Sequence, residues 1–132
     1  MSRIRILGIF IFLAVFVSGC EDTKTSEGLL GLWKCHEIRS NNSSLVYNVS
    51  IDQFWTDSSY VIYNMYNLGM DFEVYVQLSR DSIFSFLGTN NDQYFFSGTG
   101  VYRPSLETIE WNYSVIGNGV NELVVAATFR KD

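Results

Sequence analysis

The chain has 132 residues, of which 47% are hydrophobic and 16% aromatic, and its 9 basic and 14 acidic residues give a net charge of −5. This length suits one domain, and the acidic balance without any run of Lys or Arg excludes nucleic-acid binding, because phosphate groups would repel the chain. The high aromatic content favours β-strands over helices.

The N-terminus has the layout of a signal peptide. Arg3 and Arg5 precede an uncharged apolar run of 12 residues, 6–17. As a helix this run would span roughly 18 Å, which is short for a hydrocarbon layer of about 30 Å. It is therefore typical of the apolar core of a signal peptide, with an uncleaved membrane anchor as the alternative.

The sequence VSGC at residues 17–20 resembles the lipobox of bacterial lipoprotein signal peptides, an aliphatic residue and two small residues before a cysteine. The resemblance implies that residues 1–19 are removed and that Cys20 receives diacylglycerol on its thiol and an acyl chain on its new amino terminus. Several acyl chains make such an anchor permanent. We therefore predict a lipid-anchored protein of the bacterial cell envelope, with the outer membrane favoured over the inner membrane.

Cleavage would leave 7 basic and 14 acidic residues and a net charge of −7, because Arg3 and Arg5 are lost. Residues 20–29 then form the lipidated cysteine and a polar, flexible tether. Cys35 becomes the remaining thiol, so no internal disulfide is expected, and a buried apolar role for it is favoured over a redox or metal role.

Residues 30–132 are predicted to form one all-β domain. Eight runs alternate between apolar and polar residues and are separated by short turns: LWKCHEI, LVYNVSI, YVIYNMY, DFEVYVQL, SIFSFL, QYFFSGTGVY, ETIEWNYSVI and NELVVAATFR. Short connections pair neighbouring strands antiparallel, and eight strands in sequence can close on themselves. The prediction is an eight-stranded antiparallel up-and-down barrel, with a two-sheet β-sandwich as the alternative.

The alternation also predicts which side chains point inward. Leu123 is assigned to the inner face of the last strand. The bulky inward set should fill most of the lumen, which argues against a large lipid or haem; it comprises Trp33, Phe72, Phe84, Phe86, Trp111, Tyr113 and Phe129.

The sequence GLW at residues 31–33 is similar to the G-x-W motif that opens the first strand of lipocalins. In that family the tryptophan closes one end of the barrel beneath a basic side chain from near the last strand. The resemblance therefore implies a structural pair between Trp33 and Arg130, with Lys131 as a neighbouring candidate. The whole layout resembles the small lipocalin-like lipoproteins of Bacteroidetes.

No catalytic or metal-binding constellation stands out. His36 is the single histidine, and Cys35 beside it should point to the opposite face of the strand, which makes a metal or nucleophile pair geometrically poor. We expect no enzymatic activity, no catalytic residues, no metal and no cofactor. The GTG sequence at residues 98–100 lacks the helix of a phosphate loop and is expected to mark a bend or bulge.

Binding is the remaining function, and two hypotheses are open. In the first, the barrel binds a small apolar or amphipathic molecule, with Trp111 and Tyr113 lining a shallow mouth. In the second, a filled barrel is a scaffold that docks an envelope protein or polysaccharide through an exposed patch of Tyr60, Ile62 and Tyr66, because residues 54–70 are apolar on both strand faces.

Overall fold

The computed structural model describes residues 28–131, which form a closed barrel of antiparallel strands arranged in sequence order. The strands are β1 (Gly31–Ile38), β2 (Ser44–Gln53), β3 (Ser59–Tyr63), β4 (Glu73–Leu78), β5 (Ile83–Thr89), β6 (Phe95–Arg103), β7 (Thr108–Gly117) and β8 (Val120–Arg130). Short 3₁₀ turns at Met65–Asn67 and Pro104–Leu106 interrupt two connections. The predicted signal peptide, Cys20 and tether residues 21–27 lie outside the described residues.

The first and last strands close the barrel. Cys35 on β1 pairs with Tyr47 on β2 and with Phe129 on β8. Every strand therefore has two neighbours, which removes the free edges that an open sheet would expose. The predicted up-and-down barrel is confirmed and the sandwich alternative is wrong.

Period-two alternation places the apolar side chains of each strand on a common inner face. Trp33, Cys35 and Glu37 are buried on β1, while Lys34 and His36 between them are exposed. The predicted opposite orientation of Cys35 and His36 is thus confirmed.

Leu123 departs from the prediction, since its side chain is 68% exposed. The ladder between β7 and β8 shifts register, so that Tyr113 pairs with Val125 but Val115 pairs with Glu122. The extra residue on β8 is a bulge, which interrupts the alternation and turns both Leu123 and Val124 outward.

The third strand is shorter than its predicted run. β3 ends at Tyr63, and Asn64 follows with a left-handed φ of 70°. The chain then folds inward, because Met65 and Tyr66 are both buried. The last hairpin is closed by Asn118 and Gly119, whose φ angles of 48° and 83° suit the tight turn that the GNG sequence favours.

The barrel has two ends, which we name by their connections. The N-terminal end consists of residues 28–30, the turns at 54–58, 79–82 and 104–107, and Lys131. The loop end consists of the connections at 39–43, 64–72, 90–94 and 118–119. Leu29, which the sequence assigned to the tether, is buried in the core at the N-terminal end, so the folded domain includes it.

Candidate functional site

Aromatic rings pack through the barrel interior, as the sequence predicted. Phe84 stacks on Trp111 with ring centroids 5.4 Å apart, and Phe86 lies 5.4 Å from the same indole. Phe96 stacks on Tyr113 at 5.7 Å, and Phe86 and Phe96 are themselves 5.7 Å apart. These rings occupy the centre of the barrel, so space for a ligand lies at its margins.

Trp111 and Tyr113 do not line a mouth, and that prediction is wrong. Both side chains are buried on the inner face of β7. Strand β6 lies close to Trp111, since a Cβ at Gly100 would come within 2.6 Å of the indole ring. Gly100 of the GTG sequence therefore makes room for Trp111, and the β6–β7 ladder runs through residues 98–100 without the expected bulge. Within residues 28–131, Trp111 Nε1 is a buried donor without a hydrogen-bond partner.

A buried carboxylate lies beside Tyr113. Glu37 Oε1 accepts hydrogen bonds from the hydroxyls of Tyr47 at 2.6 Å and Tyr113 at 2.8 Å. Its Oε2 accepts a hydrogen bond from Arg39 Nε at 2.7 Å. These donors and the guanidinium charge compensate the cost of burying the carboxylate, so we interpret the cluster as structural.

The groups around Glu37 keep their protons. Burial, together with the Coulomb effect of Glu37, raises the pKa of Tyr113 well above its usual value, and burial likewise raises the pKa of Tyr47. Burial raises the pKa of the Cys35 thiol from 9.0 to about 12. A protonated thiol is a poor nucleophile, which fits the apolar role predicted for Cys35.

Glu37 was not among the residues predicted from the sequence. The signal was present, because Glu37 has the same inward phase as Trp33 and Cys35 on β1. An acidic residue in that phase must find buried donors, and Tyr47 and Tyr113 have inward phases on their own strands.

The exposed patch predicted at Tyr60, Ile62 and Tyr66 is wrong, because all three side chains are buried. Tyr60 and Ile62 belong to the core. On the outer side of β3, Val61 pairs with Tyr75, whose ring stacks on Phe54 at 4.3 Å. β3 is therefore apolar on both faces because the core packs against its inner face and side chains of neighbouring residues pack against its outer face.

Tyr66 lies in the 3₁₀ turn at the loop end. The Arg39 guanidinium lies 3.7 Å from the centroid of the Tyr66 ring, and Arg39 Nη2 donates to the Tyr66 carbonyl at 3.1 Å. Because Arg39 also binds Glu37, one side chain joins the inward-folded turn to the buried carboxylate. This turn covers part of the loop end.

Trp33 is paired with Lys131, so the predicted pair with Arg130 is wrong. Lys131 Nζ lies 5.1 Å from the Trp33 ring centroid and donates to the carbonyls of Gly28 and Leu30. Trp33 Nε1 donates to the Leu29 carbonyl at 2.9 Å. Strand alternation explains the change, because Phe129 is buried and Arg130 is exposed at the end of β8, while half-buried Lys131 follows directly after the strand.

The wall of the barrel opens between β5 and β6. Their ladder has three pairs, from Ile83 with Val101 to Ser85 with Thr99, although both strands continue toward the loop end. A cavity of about 260 Å³ lies between residues 85–89 and 94–98. We call it the side opening. Phe86 and Phe96 from the ring-packed interior form part of its lining.

A bulge explains why β5 leaves β6. In the ladder with β4, Tyr75 pairs with Gly88 while Val76 pairs with Phe86, so Leu87 is an extra residue on β5. Bulges bend a strand and increase its twist, which turns the end of β5 away from its other neighbour. The alternation of apolar residues does not reveal this bulge, so the side opening could not be predicted from the sequence.

The rim of the side opening is amphipathic. Phe95 and Leu87 are 67% and 54% exposed, and Ser85, Thr89 and Ser97 add hydroxyl groups. The opening thus combines exposed apolar side chains, aromatic rings behind them and hydrogen-bonding groups beside them.

A second groove, of about 430 Å³, lies at the loop end. Its lining is mainly polar: Leu68, Asp71, Phe72, Asn90, Asn91, Asp92, Tyr94 and Asn118. Across residues 28–131, no group of three or more His, Cys, Asp or Glu side chains is arranged to hold a metal ion. In the same range, no helix is long and apolar enough to cross a membrane.

The comparisons with known proteins identify the fold alone. No family model and no curated protein matches the sequence. A redesigned β-barrel matches the structure with a TM-score of 0.56 and 6% identity, covering 81% of this chain and 94% of its own. A de novo designed fluorescence-activating β-barrel matches with a TM-score of 0.52 and 15% identity, covering 81% and 96%.

Proposed function

We propose that this chain is a lipid-anchored, lipocalin-like protein of the bacterial cell envelope that binds a small apolar or amphipathic molecule at the side opening. The observation that carries the binding proposal is the early end of the β5–β6 ladder, beside aromatic rings of the interior. Eight-stranded barrels are either filled by side chains or hold one small ligand. Here the rings fill the centre and leave room at the wall.

The chemistry of the side opening supports a particular class of ligand. Phe86 and Phe96 offer ring faces, and Ser85 and Ser97 offer hydroxyl groups that can donate or accept hydrogen bonds. A volume of about 260 Å³ falls just below the range of sites for drug-sized ligands, about 300–1,000 Å³. The best fit is a compact molecule with one aromatic or apolar part and one polar group.

The lipocalin-like part of the proposal is supported by the N-terminal end. Trp33 of the GLW sequence lies beneath a basic side chain that follows the last strand, as the resemblance implies, with Lys131 in that role. The anchor is supported by the sequence VSGC behind its basic and apolar segments. For the cellular location, we favour the outer membrane over the inner membrane.

An envelope interaction module remains the second candidate, favoured by the ring-packed centre of the barrel. The contact surface predicted for it cannot meet a partner, because Tyr60, Ile62 and Tyr66 are buried. The side opening gives the ligand-binding candidate a site, and we rank it first.

Binding can be tested with 1-anilinonaphthalene-8-sulfonate, an aromatic amphiphile, titrated into residues 20–132 carrying Cys20→Ser. We expect saturable binding, with energy transfer from Trp111 behind Phe86. Replacing both rim residues in Leu87→Ser/Phe95→Ser should weaken the affinity at least tenfold, because burying even one such side chain contributes about 1.5–3 kcal/mol and a tenfold change corresponds to about 1.4 kcal/mol. Ser97→Trp, which fills the opening, should abolish binding.

Val46→Ser is the matched control, because Val46 is as exposed as the rim residue Leu87, at 58% against 54%, but lies on β2. It should leave the affinity within about twofold, since an apolar residue outside the site loses no contact with the ligand. Equal binding by the Ser97→Trp and unaltered chains would contradict the site. Absence of binding by the unaltered chain to this probe and to a set of small amphiphiles would favour the interaction module.

A further inference from the structure

The N-terminal end of the barrel presents exposed apolar side chains. Trp55, at the turn between β2 and β3, is 86% exposed, and Leu106 in the Pro104–Leu106 turn is 66% exposed. The backbone at Trp55 belongs to a hydrogen-bonded turn, because Ser59 Oγ accepts hydrogen bonds from the backbone N–H groups of Trp55 at 3.1 Å and Thr56 at 2.7 Å. This turn presents the indole to solvent, where it lacks the benefit of burial.

Charge distinguishes the two ends. Of the six Lys and Arg residues within 28–131, four lie at the N-terminal end: Arg80, Arg103, Arg130 and Lys131. Arg103 is paired with Glu110 on β7, and the other three offset the acidic residues of the turns there, Asp57, Asp81 and Glu107. The loop-end connections carry Asp71 and Asp92, and their one cation, Arg39, is paired with buried Glu37. An anionic surface would therefore repel the loop end more strongly than the N-terminal end.

The chain that leads to the predicted anchor leaves from the N-terminal end. The Gly28 carbonyl is held there by Lys131 Nζ at 3.0 Å. Cys20 precedes Gly28 by eight residues. Even fully extended, eight residues reach at most about 28 Å, so the N-terminal end cannot move far from whatever holds Cys20.

We infer that the N-terminal end of the barrel lies against the lipid bilayer, with Trp55 and Leu106 inserted among the headgroups. Trp favours this interface because its ring is apolar and its N–H can still bond to polar neighbours. The inference rests on the proposed anchor for the nearness of the bilayer. The loop end and the nearby side opening then face away from the membrane.

Tryptophan fluorescence of the full, lipidated chain in vesicles of phosphatidylethanolamine and phosphatidylglycerol tests this orientation. Trp33 and Trp111 are buried in the barrel, so a quencher outside it reports mainly on Trp55. Brominated lipids should quench Trp55 strongly, and vesicles should reduce iodide quenching several-fold relative to detergent. The Trp55→Phe chain should lose both effects.

A matched reporter is Trp55→Phe/Leu123→Trp, which moves the exposed indole to the barrel wall at a position of similar exposure. In this variant, iodide should still quench the indole at position 123, and brominated lipid should not. The inference would be overturned if, in the vesicle-bound, lipidated chain, iodide quenched Trp55 and brominated lipid did not. That result would leave the anchor intact.

The mass of the purified chain reports the anchor separately. An unmodified Cys20 would overturn the lipoprotein proposal. If brominated lipid still quenched Trp55 in such a chain, the orientation would be supported without the anchor. If it did not, the orientation would be overturned with the anchor.

Discussion

Tyr113 on β7 donates a hydrogen bond to Glu37 on β1 at 2.8 Å, and this bond passes across the intervening strand β8 through the barrel interior. Tyr47 on β2 donates to the same carboxylate oxygen. One side chain therefore ties together three strands from the two ends of the sequence. Because the carboxylate is fully buried, it depends on these donors in place of water.

Tyr113→Phe should lower the free energy of unfolding by about 1.5–3 kcal/mol, because it removes one hydrogen bond to a buried charged group and keeps the ring. Urea denaturation measures this change. Glu110→Gln is the control, since the Glu110–Arg103 pair is about half exposed with an N–O distance of 3.4 Å, and such a pair contributes about 0–1 kcal/mol. Equal losses in the two variants would mean that Glu37 does not rely on Tyr113.

The barrel could be predicted from sequence because its cause is local. Alternating residues and short turns are visible within each run, and closure follows from pairing successive neighbours. Glu37 was harder to find, because its burial depends on hydroxyls that come together only when β1, β2 and β7 share one interior. The alternation of each strand places Glu37, Tyr47 and Tyr113 on inner faces, but it does not show that these side chains come within hydrogen-bonding distance.

The remaining errors come from single-residue shifts. A bulge on β8 turned Leu123 outward, and a bulge at Leu87 opened the wall beside Phe96. Likewise, one step along the C-terminus separates Arg130 in solvent from Lys131 over Trp33. Such shifts are decided by packing across the sheet, whereas the sequence pattern shows only the average period of two.

Stability should fall as the pH rises above about 9, and Cys35 is the first cause. Burial raises the pKa of its thiol in the folded chain to about 12, from 9.0. Between these values the unfolded chain has lost the proton that the folded chain keeps, so the free energy of unfolding falls by about 1.4 kcal/mol per pH unit. The raised pKa values of Tyr47 and Tyr113 act in the same direction above pH 10.0.

Urea denaturation from pH 7 to 11 measures this slope, and Cys35→Ala is the matched variant. The variant has no thiol to ionise, so its stability should stay nearly level to about pH 10, where the tyrosines begin to act. Its overall stability is lower because of lost packing, but the slope is the quantity compared. Identical slopes between pH 9 and 10 would contradict the assignment to Cys35.

Gly100→Ala should destabilise the barrel by about 1–3 kcal/mol, because the added methyl would overlap the Trp111 ring. Ser97→Ala is the control, since Ser97 is an exposed residue on the outer face of the same strand, β6. It should change stability by less than about 0.5 kcal/mol. Thermal unfolding followed by tryptophan fluorescence measures both, and a neutral Gly100→Ala would mean that Trp111 does not depend on close contact with β6.

Lys131→Gln should lower the free energy of unfolding by about 1–2 kcal/mol, because it removes the cation over Trp33 and the bonds to the Gly28 and Leu30 carbonyls. Arg130→Gln, one residue away, should change it by less than about 0.5 kcal/mol, since that side chain is exposed. Amide hydrogen exchange should be faster at Leu29 and Leu30 in the Lys131 variant alone. If the Arg130 variant were instead the less stable one, the barrel would be closed by Arg130, as the sequence resemblance first implied.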